Sequence, residues 1–492
     1  MNAPLLILAL ALLGAFCLAI RARRGVVMNL EQWSVGGRGF SALLVFVLMA
    51  GELYTTFTFL GASGFAYGFG GAAFYIIVYT TQAFVLSYWL LPAIWRYASA
   101  HRLLTQPDFF AAKYDSPVIG LLVALVSLAA LLPYLVLQLK GLGILVEVSS
   151  YGRVSNFWAV VTGALAMSAY VAVSGVHGSA STAVVKDVLV LAMCVFLGLY
   201  LPYHYYGGLS PMFHAIATSH PGFLALSASG KSTTWYLSTI AVCGLGMFMW
   251  PHTFSSIFTA KVDDHFRRNA ATMPLYALVM LFSMFVGLAA VAQVPGLKGG
   301  QIDLALLKLS IQTFSPWFVG IIGAAGLLTA LVPSSIMLVS AATLFSRNIY
   351  GLAHPAASQA HSARVAKLAS VALTLIAVGL AFKGAQSIVA LLIMGYSLVS
   401  QLLPSLLMSL LRRNPVNRLG AGAGMMAGIA TVAWMVLSGH SLTVFFPAHL
   451  WLADLNAGLI ALLLNVTTMF VVSFVTTGQM KAAPVSQLKQ NG

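Results

Sequence analysis

The sequence predicts an all-α integral membrane protein, and three observations lead to this class. Of the 492 residues, 60% are hydrophobic and only 7% are charged, whereas soluble domains carry about 25% charged residues. The mean hydropathy is +0.93. Apolar runs long enough to span a bilayer recur along the whole chain. Together these observations favour one polytopic membrane domain over several soluble domains.

Thirteen apolar runs are candidate transmembrane helices. They begin near residues 4, 41, 72, 117, 157, 184, 235, 274, 316, 370, 387, 420 and 456. The first run, residues 1–28, has its positive charges after the apolar stretch, so we interpret it as a retained span rather than a signal peptide.

The net charge of +15 reports topology rather than nucleic-acid binding. Most of the 25 Lys and Arg fall in short segments between spans, with Lys186 assigned to one of these cytoplasmic segments. The positive-inside rule then places the N-terminus outside and the tail 481–492 in the cytoplasm. We expect a multi-pass protein of the bacterial inner membrane whose surroundings are the lipid bilayer, with no nucleic-acid partner and no protein partner indicated.

Motifs of membrane enzymes and ATP-driven pumps are absent from the sequence. It contains no P-loop, HExxH or GxSxG motif. Its cysteines, Cys17, Cys194 and Cys243, lie in apolar segments without metal-ligand spacing. We therefore expect no enzyme activity, no organic cofactor, and no metal other than a coupling Na⁺.

The second span contains a glutamate at the depth of the bilayer centre. Glu52 lies in MAGELYTTFTFLG (49–61), where Gly and Thr also weaken the helix. Unwinding here would free carbonyl oxygens for a cation, as in the discontinuous helices of transporters. The alternative is that Glu52 fixes the packing of a neighbouring helix. Ionisable groups inside membranes are functional by default, which favours the first interpretation.

The third and fourth spans carry further polar side chains. YTTQ (79–82) places Gln82 at membrane depth, and PYLVLQLKGLG (133–143) contains Gln138 and Lys140. If Lys140 faces the bundle interior, its ammonium suits a carboxylate-bearing substrate or a salt bridge with Glu52. Interhelical hydrogen bonding explains Gln82 equally well, and Lys140 could instead extend to the interface.

The seventh and ninth spans each contain a proline next to polar residues. CGLGMFMWPHTFSSIF (243–258) holds Trp250, Pro251 and His252, and the proline predicts a break at that point. In the ninth span Pro333 predicts another break, and Ser334 and Ser335 follow it. These hydroxyls either donate hydrogen bonds to the carbonyls that the proline leaves free or bind a hard cation such as sodium. His252 is either a packing residue or a proton-linked or substrate-contacting residue.

Three stretches resemble the sodium/solute symporter family. They are SVGGRGFSALLVFVLMAGELYTTFTFLG (34–61), YVAVSGVHGSASTAVVKDV (170–188), which is similar to the family's Y…GG…A…TD stretch, and GLGMFMWPHTF followed by AKVDDHFRRNA (244–254, 260–270). LLTQPDFFAAKYDS (103–116) and PYLVLQLKGLG look most like bacterial monocarboxylate permeases of this family.

This resemblance implies a LeuT-like core of two inverted five-helix repeats, with one extra helix before the core and two after it. The expected units are the first helix (1–28), the first repeat (29–230), the second repeat (231–415), the two C-terminal helices (416–480) and the tail (481–492).

The resemblance also implies a sodium site built from backbone carbonyls and from hydroxyls of the ninth span. The carbonyls would lie near Ala50, Gly51, Leu53 and Tyr54. An ungapped alignment on Tyr350 places Val332 and Pro333 where sodium-binding members carry their hydroxyl pair, so Ser334 and Ser335 fall one to two residues late. The coupling ion is therefore Na⁺ or H⁺, with Glu52 as its ligand or carrier.

The sequence thus predicts a secondary active transporter that imports a small monocarboxylate such as lactate, pyruvate or propionate by cation-coupled alternating access. Gln138 and Lys140 would hold the carboxylate, with Gln82 as a further contact. Trp250 and His252 would line or gate the pocket. The alternatives are a sodium-coupled amino-acid or sugar symporter and a ligand-binding membrane sensor.

Overall fold

A computed structural model describes residues 3–383, 386–439, 444 and 450–482 of the chain. Its α-helices are α1 (Ala3–Arg23), α2 (Leu30–Val35), α3 (Ala42–Leu53), α4 (Ala62–Phe69), α5 (Tyr75–Ala100), α6 (Gln106–Tyr114), α7 (Pro117–Ser149), α8 (Asn156–Tyr206), α9 (Leu209–Ser219), α10 (Thr233–Gly246), α11 (Pro251–Thr259), α12 (Asp264–Ala277), α13 (Val279–Gln293), α14 (Ala305–Thr313), α15 (Pro316–Leu344), α16 (Gly351–Ala353), α17 (Gln359–Ala381), α18 (Ile388–Val399), α19 (Leu403–Leu410), α20 (Arg418–Ser438) and α21 (Ala457–Ala482). Single turns of 3₁₀ or π geometry connect several of them. The expected all-α class is confirmed.

Ten helical stretches of the described chain are long and apolar enough to cross a membrane, or up to eleven if α10 and α11 form one bent span. The predicted number of 13 is not confirmed. The helix α8 alone has 51 residues and would be about 77 Å long if straight, more than twice the thickness of a bilayer core. Its backbone leaves helical geometry at Gly175, where φ is 53° and ψ is −148°. The tail 481–492 begins inside α21, and its residues 483–492 lie outside the described part.

The helix α15 forms the centre of the bundle. Its residues from Ile322 to Leu344 are all buried, and the helix packs against α1, α7 and α8. Large apolar side chains such as Leu165, Leu368 and Phe474 point outward and are mostly exposed. Apolar surface on the outside of a helical bundle is what the hydrocarbon of a membrane requires.

Two helices are interrupted at membrane depth, as the sequence predicted. The helix α3 ends at Leu53, and Tyr54 has φ −80° and ψ 71°, after which a π-helical turn leads into α4. The helix α10 gives way to a 3₁₀ turn, and Trp250 is extended with ψ 133° before Pro251 starts α11. Proline favours this first helical position because its missing N–H has no helical partner there.

The third predicted break is wrong. The helix α15 continues through Pro333 to Leu344 without interruption. Neighbouring helices enclose this segment on all sides, so packing holds it straight although proline removes one hydrogen bond.

A glycine of α7 positions the interrupted segment after α3. A Cβ atom added to Gly141 would lie 1.7 Å from Thr56 Cγ2. Only glycine allows the unwound chain to approach α7 this closely, and α11 packs against α3 on another side. The two helix breaks therefore face each other in the interior.

Candidate functional site

A small central cavity lies between the two helix breaks. Its volume is about 30 Å³, which holds about two water molecules. Polar and aromatic side chains dominate its lining, namely Glu52, Thr55, Tyr79, Tyr134, Trp250, His252, Thr253 and Tyr396. Predicted site residues from the second and seventh spans are therefore brought together here.

Glu52 lies in this cavity with 9% of its surface exposed. Its carboxylate accepts a hydrogen bond from Thr253 Oγ1 at 2.9 Å and another from Ser256 Oγ. Both donors belong to α11. Glu52 thus links the end of α3 to the second interrupted helix, and the two hydroxyls partly replace the water that a carboxylate loses on burial.

Two ring nitrogens beside the cavity are buried without a hydrogen bond of normal geometry among the described residues. They are Trp250 Nε1, which approaches the Tyr396 hydroxyl, and His252 Nδ1. The Tyr134 ring packs between them, 4.8 Å from the Trp250 ring and 5.5 Å from the His252 ring. Both nitrogens lie at the N-terminal end of α11, where the helix dipole favours negative charge.

Gln138 is fully buried but contacts the interrupted segment rather than the cavity. Its Oε1 accepts from the backbone N–H of Thr56 at 3.3 Å, and its Nε2 has no hydrogen-bond partner among residues the structure describes. This amide satisfies one backbone donor that the end of α3 leaves free. Its predicted contact with substrate stays a prediction.

Lys140 and Gln82 do not line the central cavity. Lys140 Nζ donates to the carbonyl of Gln386 at 3.0 Å and lines a separate cavity of about 440 Å³ with Lys298 and Asp303. Gln82 is exposed, and its amide lies beside Gly244 of α10. The structure therefore separates these two residues from Trp250 and His252.

The carbonyls at the end of α3 already have protein partners. The carbonyl of Ala50 accepts from Tyr54 N at 3.0 Å, and that of Leu53 accepts from Thr55 N at 2.9 Å and from Thr58 Oγ1. The other two carbonyls accept from one side chain, Lys186.

Lys186 is a buried charged residue that sequence reasoning placed wrongly. Its Nζ donates to the carbonyl of Gly51 at 2.7 Å and to that of Tyr54 at 2.9 Å, and it lies 3.0 Å from Asp187 Oδ1. Its side chain is 0% exposed. The assignment to a cytoplasmic segment fails because α8 continues through this position. The adjacent charges Lys186 and Asp187, inside an otherwise apolar stretch, were the available signal.

The serines of α15 bond within and next to their own helix. Ser334 Oγ donates to Ala330 O at 2.6 Å, and Ser335 Oγ lies 2.5 Å from both Val332 O and Ser179 Oγ. No hydrogen bond joins either serine to the α3 carbonyls in the described part of the chain. The predicted grouping of these serines with Ala50, Gly51, Leu53 and Tyr54 stays a prediction.

Interrupted helices that enclose a buried polar site are the architecture of secondary transporters. Residues 33–428 match the sodium:solute symporter family, and this chain belongs to that family. It is a symporter rather than an enzyme, and the family implies sodium-coupled transport of a small solute by a multi-pass membrane protein.

Two relatives illustrate this membership, and one solved structure shows the same fold. The chain is 54% identical over 484 residues to the "Uncharacterized symporter YhjB" of Bacillus subtilis, covering 98% of this chain and 99% of the relative. It is 27% identical to a "Monocarboxylate transport permease protein" of Rhizobium johnstonii, with 90% of each chain covered. A Na⁺-coupled sialic acid symporter has the same fold, with a TM-score of 0.77 at 16% identity, covering 96% and 98% of the two chains. The expected LeuT-like architecture is confirmed.

Proposed function

We propose that this protein imports a small monocarboxylate, such as pyruvate, lactate or propionate, across the bacterial inner membrane together with a cation. The substrate would bind in the central cavity, and the two predicted repeats, 29–230 and 231–415, would alternate its exposure between the two sides. The N-terminus would lie outside and the C-terminus in the cytoplasm.

Two buried ring nitrogens without a hydrogen bond of normal geometry among the described residues are the observation that carries this proposal. Trp250 Nε1 is a donor, and His252 Nδ1 is a donor in the Nδ1–H tautomer. A carboxylate accepts several hydrogen bonds and donates none. Placed at the N-terminal end of α11, it would satisfy both nitrogens and interact favourably with the helix dipole. The similarity to a monocarboxylate transport permease supports the same substrate class.

The size and lining of the cavity support a small substrate. With about 30 Å³ of open space, a solute larger than a few atoms enters only after the aromatic side chains move. The lining has one carboxylate and no amide side chain, whereas a sugar site needs several polar partners for its hydroxyls.

The charge of Glu52 explains why an anion would need a cation with it. Two negative charges about 5 Å apart repel each other by about 3 kcal/mol at an effective dielectric constant near 20. A sodium ion near the carboxylate or a proton on it removes this repulsion. Cation coupling by Na⁺ or H⁺ is therefore part of the proposal, with Glu52 at its centre.

The test is uptake of labelled pyruvate, lactate and propionate into proteoliposomes, with sodium and proton gradients imposed separately. Saturable accumulation driven by at least one gradient supports the proposal. Accumulation of a sugar, with none of any monocarboxylate under either gradient, contradicts it. Empty liposomes and liposomes with a gradient dissipated by ionophore serve as controls.

A second candidate substrate is a small amino acid such as alanine. Glu52 lies in the same cavity as the ring nitrogens, so its carboxylate could pair with a substrate ammonium while Trp250 and His252 hold the substrate carboxylate. Competition distinguishes the two candidates. If alanine inhibits pyruvate uptake weakly and pyruvate inhibits alanine uptake strongly, the monocarboxylate is preferred.

A further inference from the structure

The sodium site implied by the family has a positive charge of the protein at its centre. Lys186 Nζ lies within 2.7–3.0 Å of three oxygens, the carbonyls of Gly51 and Tyr54 and the carboxylate of Asp187. Oxygen ligands of this kind are what hard cations prefer. We propose that the Lys186 ammonium takes the place of the coupling sodium ion at the α3 carbonyls, so that this chain binds no sodium there.

The first argument is electrostatic. Lys186 is completely buried, and the other charged groups around it are Asp187 on its own helix and Glu52 on α3. A sodium ion about 4 Å from the ammonium would bind about a thousandfold more weakly than without it, at an effective dielectric constant near 20. Two cations therefore do not share this set of carbonyls.

The second argument is the apolar cluster that lies beside Gly51 and Lys186. Val332 packs with Ala183 and Val47 in a separate apolar cluster. Ala183 lies one helical turn before Lys186, and Val47 lies one turn before Gly51. The resemblance implies a hydroxyl at the position of Val332 in sodium-binding members, whereas the three side chains of this cluster carry no oxygen. The hydroxyls of Ser179 and Ser335, one turn away, contact each other. An ammonium needs no oxygen on that side because its three N–H bonds are already directed to Gly51, Tyr54 and Asp187.

The third argument is local sequence. The stretch 170–188 resembles the family's Y…GG…A…TD stretch, and in this chain a lysine, Lys186, directly precedes Asp187. The lysine thus adds a positive charge beside a carboxylate that is otherwise uncompensated. Apart from Lys186, no residue in the described part of the chain donates a hydrogen bond to the Asp187 carboxylate, so the Lys186 ammonium is its main partner.

The inference rests on the proposed function only in taking the chain to be a symporter, and its test needs no substrate. Thermal unfolding of the purified full chain is measured in NaCl, KCl and choline chloride at equal ionic strength. A bound ligand raises the unfolding temperature through its affinity for the folded state. Because the proposed function allows sodium at the Glu52 carboxylate, the measurement uses Glu52→Gln, which should unfold at the same temperature in all three salts. Saturable stabilisation of this variant specific to sodium would overturn the inference.

The variant Lys186→Thr removes the ammonium from the carbonyls of Gly51 and Tyr54 and leaves a short hydroxyl side chain in its place. It should acquire a sodium-specific rise of about 2 °C or more in unfolding temperature, or fold only when sodium is present. A folded variant without any sodium response would overturn the inference. Lys308→Thr, at an exposed position of α14, is the matched control and should behave like the wild type.

If Lys186→Thr does not fold in any salt, Glu52→Gln, in which Lys186 is intact, still decides the question. Binding of ²²Na⁺ to this purified variant should be no greater than binding to protein-free micelles. Specific, saturable binding would overturn the inference. Failure of monocarboxylate uptake, by contrast, would contradict the proposed function and leave these sodium measurements unaffected.

Discussion

Replacing His252 with phenylalanine tests the proposed substrate contact most selectively. Phenylalanine keeps an aromatic ring against Tyr134 and Trp250, whose ring centroids lie 5.5 Å and 5.8 Å from that of His252. It removes both ring nitrogens, of which Nδ1 has no partner among the described residues. The packing therefore stays nearly unchanged, and the hydrogen bond to a substrate carboxylate is lost.

The size of the effect follows from that single bond. A hydrogen bond to a charged group contributes about 1.5–3 kcal/mol, which corresponds to about a 10- to 150-fold change in affinity. We expect the Km for pyruvate exchange in proteoliposomes to rise by this factor. The unfolding temperature should stay within a few degrees of the wild type.

The matched control is His177→Phe, which makes the same chemical change outside the cavity. His177 bonds to Gln32 Oε1 at 3.0 Å, so its loss affects local packing but leaves the Km for pyruvate unchanged. A Km of His252→Phe within twofold of the wild type would refute the assignment of His252 to the substrate.

Three further predictions concern Glu52, Lys140 and Asp303. Glu52→Gln keeps a hydrogen-bond acceptor for Thr253 or Ser256 but can neither bind a proton nor attract a cation. Gradient-driven accumulation of substrate should therefore be lost while substrate exchange continues. Normal accumulation would show that Glu52 has no role in cation coupling. Lys140→Gln should raise the Km severalfold at low ionic strength and little at high ionic strength. The reason is that Lys140 and Lys298, which line the separate cavity of about 440 Å³, would attract anions through a field that salt screens. Equal kinetics of variant and wild type at low salt would contradict this. Asp303 lies between spans, where burial raises its pKa to about 7 although the N–H of Ile388 and Lys140 favour the ionised form. Because its pKa is raised on folding, its stabilising contribution is present below about pH 4 and lost as the pH rises through about 7. At pH 8, Asp303→Asn should therefore be more stable than the wild type by up to about 4 kcal/mol in free energy of unfolding, and it should unfold at a higher temperature. Near pH 4 the two proteins should unfold at similar temperatures. An equal difference in stability at both pH values would contradict this pH dependence.

The sequence is sufficient to predict the class of fold and the position of two helix breaks. A glutamate flanked by Gly and Thr in an apolar run, and a Trp-Pro-His triplet in another, both have local physical causes that sequence alone reveals. Pro333 has the same local signal, yet α15 stays helical there because the surrounding helices hold it. Tertiary packing therefore decides which prolines interrupt a helix.

The partners of Glu52 and the role of Lys186 depend on distances between helices. Thr253 and Ser256 lie about 200 residues from Glu52 in the chain, and nothing in their local sequence indicates that they point at a carboxylate. A lysine between two apolar runs predicts a cytoplasmic segment at Lys186. The structure shows a helix that passes through this position and a charge neutralised by Asp187. Gln82 and Lys140 do not line the central cavity, because helix packing decides which polar residues at membrane depth face it.

Substrate exchange without any ion gradient tests the central claim most directly. Proteoliposomes containing the wild-type protein are loaded with unlabelled pyruvate, and the entry of labelled pyruvate is followed under equal salt and pH on both sides. We predict that internal pyruvate, lactate or propionate accelerates entry of the label, and that His252→Phe requires higher substrate concentrations for the same rate. Entry of label that is equal in loaded and empty proteoliposomes would contradict the account, whichever cation drives accumulation.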